Sequence, residues 1–388
     1  MKRVLLFAIV GAVTALCSCD RTVPDNSLQI IQDDVIELDG SFDENFLSGW
    51  DYIALDDKET DALISGDVSK VLYDDGLYFI SCFNNEGQIK VFDSDGHYLN
   101  DISRKGRARN EYLYLEIWTI DRNRNEVLIA TQENDEGPVT IKKFNYQGEY
   151  LGQSQTAPIT DRNIFGHIAK CLSDGTLLVE NGIRAVPVLY YYYVPQNGPL
   201  RYPIEMTDKD FGQLSELVET YGVNSLVNEG YFNPLTDTTY LVRILDNHIY
   251  RLTENGTECV ANLAFRPNPD NIKKFSKPSD FRDMKDYLYI SYFEYKCVFE
   301  KSTSKVYVVN RKSRKRMLPD YCECSLYGND MIACVDVDEI TSANERIESD
   351  DYNHEYSSEV EDFYRKVKGH GNPVIFIAHY DKTPTPRP

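Results

Sequence analysis

The chain has 388 residues, 42% of them apolar, and carries 62 Asp and Glu against 41 Lys and Arg, a formal net charge of −21. The apolar share is enough for a sizeable core. The acidity excludes a nucleic-acid partner, which needs clustered cations against phosphate, and excludes adsorption to anionic lipid head groups.

The chain opens with Lys2 and Arg3, followed by an apolar run from Val4 to Val13. That run falls short of the roughly 20 residues a spanning helix needs and reads as a targeting segment. Leu16-Cys17-Ser18-Cys19 follows, with Leu three places before Cys19 and a small residue immediately before it. This is the pattern of a lipoprotein signal, whereas Cys17 would put Thr14 and Leu16 in those places. An ordinary secretory signal is the competing reading, but the A-x-A-like site of simple secretion is missing. The expected division is a signal peptide over residues 1–18, a polar, acidic, lipidated tether over 19–45, and a folded region over 46–388. Lipid on Cys19 is then the sole membrane attachment, and the expected product is a monomeric outer-membrane lipoprotein facing the periplasm or the exterior.

The folded region repeats. Ile89-Lys-Val-Phe-Asp-Ser-Asp-Gly96-His-Tyr-Leu is echoed by Ile141-Lys-Lys-Phe-Asn-Tyr-Gln-Gly148-Glu-Tyr-Leu. Each is two strands around a turn in which Gly supplies a positive φ. Weaker copies are Val194-Pro-Gln-Asn-Gly198, Leu252-Thr-Glu-Asn-Gly256 and Val309-Asn-Arg-Lys-Ser313. They recur roughly every fifty to sixty residues, near the period of a four-stranded propeller blade. Further strand pairs precede them at Val71–Ile80, Trp118–Ile129 and Cys171–Val179. A last blade assembles from Ser325–Val335, Pro373–Tyr380 and the early strand Trp50–Leu55. The predicted fold is all-β: a six-bladed β-propeller of four-stranded blades, its ring closed by N- and C-terminal strands, which protects the sheet edges.

Short helices interrupt the strands. Thr207-x-x-Asp210 resembles a capping box, followed by apolar residues at helical spacing and Gly222 as a stop. Ser358-x-x-Glu361 is a second box, with Val360, Phe363, Tyr364 and Val367 on one stripe and Gly369 closing it. A third helix is expected over Ser279–Asp286.

Three motifs are similar to those of six-bladed propeller lipoproteins from anaerobic Gram-negative gut-type bacteria, relatives of NHL-repeat propellers. Tyr52-Ile-Ala-Leu55 with Ile64-Ser-Gly-Asp-Val-Ser-Lys-Val71 echoes that family's opening strands. Gly106-Arg-Ala-Arg-Asn-Glu111-Tyr112 echoes its G-x-G-P-G-E-Y turn between blades, and Asn372-Pro-Val-Ile375 its closing strand. In the turn, Ala108, Arg109 and Asn110 replace Gly, Pro and Gly; Asn110, which tolerates the left-handed region, is expected to keep the shape. The resemblance implies the fold and says little about activity.

Chemical signatures are sparse. The six histidines lack metal-ligand spacing and no Gly-x-Ser-x-Gly elbow occurs, so no catalytic or metal-binding residues are assigned. Asp93-Ser-Asp95-Gly96 superficially resembles a calcium loop but lacks the distal Glu and reads as a hairpin. Cys82, Cys171, Cys259, Cys297, Cys322, Cys324 and Cys334 read as small buried hydrophobes, with a disulfide among the last three left open. Tyr190-Tyr-Tyr-Tyr193 offers Tyr190 and Tyr192 on one face, for blade packing or for sugar stacking. Arg311-Lys-Ser-Arg-Lys-Arg316 is a basic cluster placed at the fifth hairpin, where Arg314, Lys315 and Arg316 form a solvated tip or meet an acidic partner or lipopolysaccharide phosphate. The expected function is non-catalytic binding or scaffolding of a glycan, peptide or protein ligand. No cofactor is expected, with calcium in the central channel the one candidate ion. The alternative is a channel-centred hydrolase or glycan-cleaving enzyme, metal-assisted in one version.

Overall fold

The computed structural model describes residues 28–29, 35–82, 88–103, 105–112, 115, 117–132, 137–158, 168–182, 189–199, 229–231, 238–242, 248–253, 256–262, 278–292, 296–309 and 315–384. Its strands form the six blades of a β-propeller. Blade 1 is Val68–Asp74, Leu77–Cys82, Ile89–Asp93 and Tyr98–Ile102. Blade 2 is Ile117–Asp121, Glu126–Gln132, Pro138–Asn145 and Tyr150–Pro158. Blade 3 shows Ile168–Cys171, Leu177–Gly182 and Leu189–Val194. Blade 4 shows Tyr240–Val242, His248–Thr253 and Gly256–Asn262. Blade 5 is Pro278–Asp283, Tyr287–Tyr292, Lys296–Glu300 and Lys305–Val309. Blade 6 combines Glu323–Tyr327, Asp330–Val335 and Val374–His379 with Gly49–Ala54.

The ring closes as the repeats require. Val374 pairs with Ala54 and His379 with Gly49, antiparallel along the whole strand. Strand alternation then explains the core. Ile117, Leu128 and Ala130 face blade 3, while Trp118, Ile120, Val127 and Ile129 face blade 1. A blade buried on both faces therefore reads as a near-continuous apolar run, as at Val127–Ala130. An apolar cluster lies between every pair of neighbouring blades, including 6 and 1.

The hairpin glycines are fixed twice over. Gly96 and Gly148 have φ of +87° and +82°, and each turn abuts the outer strand of the preceding blade. A Cβ on Gly96 would lie 2.5 Å from the Ala54 carbonyl oxygen, and one on Gly148 2.4 Å from that of Asp101.

The N-terminal segment hems the ring. Leu28–Gln29 runs parallel to Gly256–Asn262 at the edge of blade 4, and Val35–Leu38 runs parallel to Lys305–Val309 at the edge of blade 5. Helix Phe42–Phe46 follows, started by a reciprocal capping box in which the Ser41 amide donates to Glu44 and the Glu44 amide to Ser41 Oγ. Phe42 and Phe46 stack at 5.1 Å and enter the core between blades 5 and 6. The folded region thus reaches back into the stretch expected to be tether.

Three local expectations need correction. The stretch 279–286 is not a helix: Pro278–Asp283 is the innermost strand of blade 5, paired with Tyr287–Tyr292. The fifth hairpin turns at 301–304, where Ser304 takes φ +59°, and Val309 ends the outer strand instead of opening a turn. Helix Ser358–Lys366 forms, but Ser357 is its cap, with Oγ accepting from the Val360 amide at 3.4 Å. A longer helix, Val337–Glu348, precedes it unannounced. Both helices lie in the connection between the second and third strands of blade 6. The helix expected over Thr207–Gly222 lies outside the described residues. No helix among the described residues is long and apolar enough to cross a membrane.

Candidate functional site

In blades 1, 2, 5 and 6 the second strand ends and the third begins at one rim of the ring, and the tight hairpins occupy the other. On the first rim, the connection from blade 1 to blade 2 carries the Gly106–Tyr112 turn. The three residues that match the family motif hold its frame. The Gly106 amide donates to the Tyr112 carbonyl at 2.9 Å and Tyr112 is buried. The Glu111 carboxylate folds over Gly106 and accepts from the Ala108 amide at 2.9 Å. Asn110 is not among the residues with positive φ, so the left-handed expectation fails there. The turn is closed instead by the Glu111 amide donating to the Ala108 carbonyl at 2.9 Å.

With the frame held elsewhere, Arg107 and Arg109 are exposed and make no ion pair among the described residues. They overhang the face of blade 2 turned toward blade 1, where a pocket of about 280 Å³ is lined by Arg107, Arg109, Thr140, Lys142, Gln153 and Gln155, among others. Strand register brings the floor together: Thr140 pairs with Gln155 and Lys142 with Gln153. Lys142, 8% exposed, donates its ammonium to the backbone carbonyls of Arg109 and Glu111 and so braces the overhanging turn. The Arg109 guanidinium sits 5.8 Å from the centre of the Tyr150 ring. Tyr150 in turn donates to Gln153 Oε1 at 3.1 Å, and Gln155 Nε2 donates to Thr140 Oγ1 at 3.1 Å. Among the described residues, no carboxylate, imidazole or thiol lines this pocket.

The channel side is built differently. Leu72, Thr119, Ile120 and Ala169 from the innermost strands of blades 1–3 help to enclose only about 20 Å³, with Asp74, Arg122 and Lys170 on the same wall. That is about one water's worth of room. Asp74, almost fully buried, accepts from Arg122 Nε at 2.5 Å and from the Tyr146 hydroxyl at 2.5 Å. Burial, and then the Asp74 carboxylate, push the Tyr146 phenol upward, so it stays a donor. Blades 1 and 2 are pinned together through one carboxylate.

The residues singled out from sequence scatter. Cys19 and Arg314 lie outside the described residues. Tyr190 and Tyr192 fall on the third strand of blade 3, paired with Asn181 and Val179, and their side chains are outside the description. Lys315 is exposed. Arg316 lies beyond blade 5, not at its hairpin: it bonds Asp320, lies 5.6 Å from the Tyr356 ring centre and pairs by backbone with that residue. It anchors the helical insertion. Asp93, Asp95 and His97 form the one group with metal-ligand proximity among the described residues. Asp93 Oδ1 there already accepts from the amides of Asp95 and His97, both at 2.9 Å, as the hairpin reading requires. The seven described cysteines form no disulfide, Cys322, Cys324 and Cys334 included. Burial pushes the Cys82 thiol up to about 12, leaving it a neutral packing group and not a nucleophile.

Sequence reading missed the pocket. Its only signal was the departure of Ala108, Arg109 and Asn110 from the family turn, and nothing local connected that turn to Gln153 and Gln155.

The fold and this rim define a six-bladed propeller with a polar, cationic recess between two blades. The chain belongs to the family described as a domain of unknown function, DUF4934, which matches residues 37–379. No curated protein matches its sequence. Among solved structures it is similar to an exported protein of Bacteroides fragilis, at 15% identity and a TM-score of 0.59, covering 90% of this chain and 100% of that one. A luciferin-regenerating enzyme aligns at 8% identity and a TM-score of 0.42 over 87% and 100% of the two chains. The extracellular domain of a one-component system from B. thetaiotaomicron aligns at 18% and 0.37 over 73% and 32%. At such identities the likeness is one of fold.

Proposed function

We propose that this protein is an exported lipoprotein, held to the outer membrane through lipid on Cys19, whose propeller is a non-catalytic binding module with the blade 2 pocket as its ligand seat. The observation that carries the reading is the chemistry of that pocket. Arg, Lys, Gln and Thr can hold a ligand by charge and hydrogen bonds; among the described residues no carboxylate or imidazole lines the pocket, and the nearby Glu111 carboxylate is engaged by the Ala108 amide. The one amine there, Lys142, is committed to two backbone carbonyls of the overhanging turn. A channel-centred hydrolase would instead need converging acid–base groups. Of the described carboxylates on the innermost strands, Asp74 is already engaged by Arg122 and Tyr146, Asp121 by Arg124 and Asp283 by Lys301.

The lipid anchor follows from the Leu16–Cys19 pattern. Burial of acyl chains contributes about 0.8 kcal/mol per CH₂, so more than one chain gives stable attachment. Metabolic labelling with a tritiated fatty acid should mark the wild-type chain and not Cys19→Ser; label retained in the variant refutes the anchor. For the module, the full mature lipoprotein in mild detergent is screened against saccharides and peptides with and without calcium, while products are followed by mass spectrometry. Saturable binding without turnover is expected. Steady product formation from a bound ligand would refute the non-catalytic reading.

A further inference from the structure

The blade 2 pocket is selective in a way that names its ligand. In a chain where acidic residues outnumber basic ones by 62 to 41, this recess gathers Arg107, Arg109 and Lys142 and, among the described residues, has no carboxylate in its lining. Two of those cations have no structural task that explains them. The turn bearing Arg107 and Arg109 is held by Gly106, Glu111 and Tyr112, and both guanidinium groups remain outside any ion pair among the described residues. Planar guanidinium forks suit carboxylate and sulfate groups, which they engage with paired N–H donors.

The floor is neutral, and it presents both donors and acceptors. Gln155 and Thr140 share one hydrogen bond, which leaves the Gln155 carbonyl oxygen and the Thr140 hydroxyl proton for a ligand. Gln153 accepts from Tyr150 and keeps its amide protons. Such alternation matches adjacent hydroxyl groups, each of which both donates and accepts. A volume of about 280 Å³ is at the small end for ligand pockets, which begin near roughly 300 Å³, and suits one ring-sized unit. Tyr150 adds an aromatic wall beside Arg109.

Building on the binding reading, we infer that this pocket holds a single acidic sugar residue, its carboxylate or sulfate against Arg107 and Arg109 and its hydroxyls on Thr140, Gln153 and Gln155. Carboxylate and sulfate share the recognised chemistry. The test separates them and also separates this inference from the broader one.

The mature lipoprotein is titrated by calorimetry with four probes: a galacturonate trimer, the matching neutral galactose trimer, a sulfated galactose trimer, and sodium sulfate. At least one acidic trimer should bind about tenfold or more tightly than the neutral one, the weight of one charge-assisted contact. Which acidic trimer wins identifies the anion. Arg107→Ser and Arg109→Ser should each weaken acidic binding several-fold with the thermal midpoint unchanged, and Gln155→Leu should weaken charged and neutral trimers alike. Equal affinity for charged and neutral trimers, or wild-type affinity in both arginine variants, overturns the acidic-sugar inference while leaving a binding propeller intact. Binding of sodium sulfate as tight as that of the trimers overturns the sugar part. Failure of all four probes to bind overturns the inference as well, whereas cleavage of a bound trimer counts against the non-catalytic reading alone.

Discussion

Blades 5 and 6 differ from blades 1 and 2 in what lies against their outer edges. Val35–Leu38 adds a parallel strand to blade 5, Gly49–Ala54 is itself the outer strand of blade 6, and helix Phe42–Phe46 fills the corner between them. Two further helices pack on the same region, so Ile340, Ala343, Val360 and Phe363 join one core with Tyr289 and Phe376. On blades 1 and 2, the outer strands Tyr98–Ile102 and Tyr150–Pro158 have no further strand beside them among the described residues. Leu99 and Leu151 stand there about half exposed, at 49% and 51%. One side of the ring is thus reinforced where the chain ends must be held, and the other keeps its surface open, which is where the cationic pocket lies. The pocket proposed for binding thus lies away from the reinforced blades, a division that point variants can break.

The largest effect is expected on the reinforced side. Phe376 is fully buried on the closing strand, with its ring 5.6 Å from Tyr321 and 6.3 Å from Trp50. Phe376→Ala should cost about 3–5 kcal/mol in urea unfolding, while Leu151→Ala on the open side should stay within about 0.5 kcal/mol. A comparable loss from Leu151→Ala would mean that the open edge is covered after all, and the contrast would collapse.

An intermediate effect is expected on the open side, where blades 1 and 2 are joined to each other. Asp74 has Arg122 and Tyr146 as partners, one from the innermost strand's turn of blade 2 and one from its outer hairpin. Asp74→Ala should cost about 2–4 kcal/mol, since it leaves a buried hydroxyl and a guanidinium without their acceptor. Tyr146→Phe should cost about 1–2 kcal/mol by the same reasoning. Additive losses in the Asp74→Ala, Tyr146→Phe double variant would show that the two residues do not act together.

What was legible in the sequence were positions where backbone conformation or a close approach restricts the residue type. Gly96 and Gly148 announced themselves because positive φ and the approach of the neighbouring blade both demand a missing side chain. Asn372 of the closing motif is legible for a related reason. Fully buried, it accepts from the Ile64 amide at 2.8 Å and donates to the Ala62 carbonyl at 3.0 Å, fixing the passage from blade 6 to blade 1. The fifth hairpin was misplaced because Ser304 takes the left-handed conformation without a glycine to mark it. Helix Val337–Glu348 was missed because its cap, Asp336, makes no capping bond and instead accepts from Val68 in blade 1 at 3.4 Å. The N-terminal hem was read as tether because two- and four-residue strands carry almost no periodicity. The pocket was beyond reach, since Arg109 meets Gln153 and Gln155 only once a blade has formed and packed.

The smallest effect tests the closing seam through pH. His379, on the closing strand, lies with Nδ1 2.9 Å from Asp330 of the second strand and Nε2 3.4 Å from Asp51 of the outer strand. Partial burial pulls its pKa down, but hydrogen bonds and charge from Asp330 and then Asp51 outweigh this, and the net shift is upward from 6.5. A folded-state value raised above the unfolded one means that the protonated imidazole stabilises the fold fully below about pH 6.5, and that this contribution is lost as pH rises through the folded-state value. Because Asp51 is largely exposed, solvent and salt screen its part, and the whole effect should stay under about 1 kcal/mol. Urea midpoints should therefore fall slightly from pH 6 to pH 8 in the wild type, and His379→Gln should remove that slope. Gln can still hydrogen-bond but cannot carry charge. An unchanged slope in the variant would place the titrating group elsewhere and leave the seam held by its strand pairing alone.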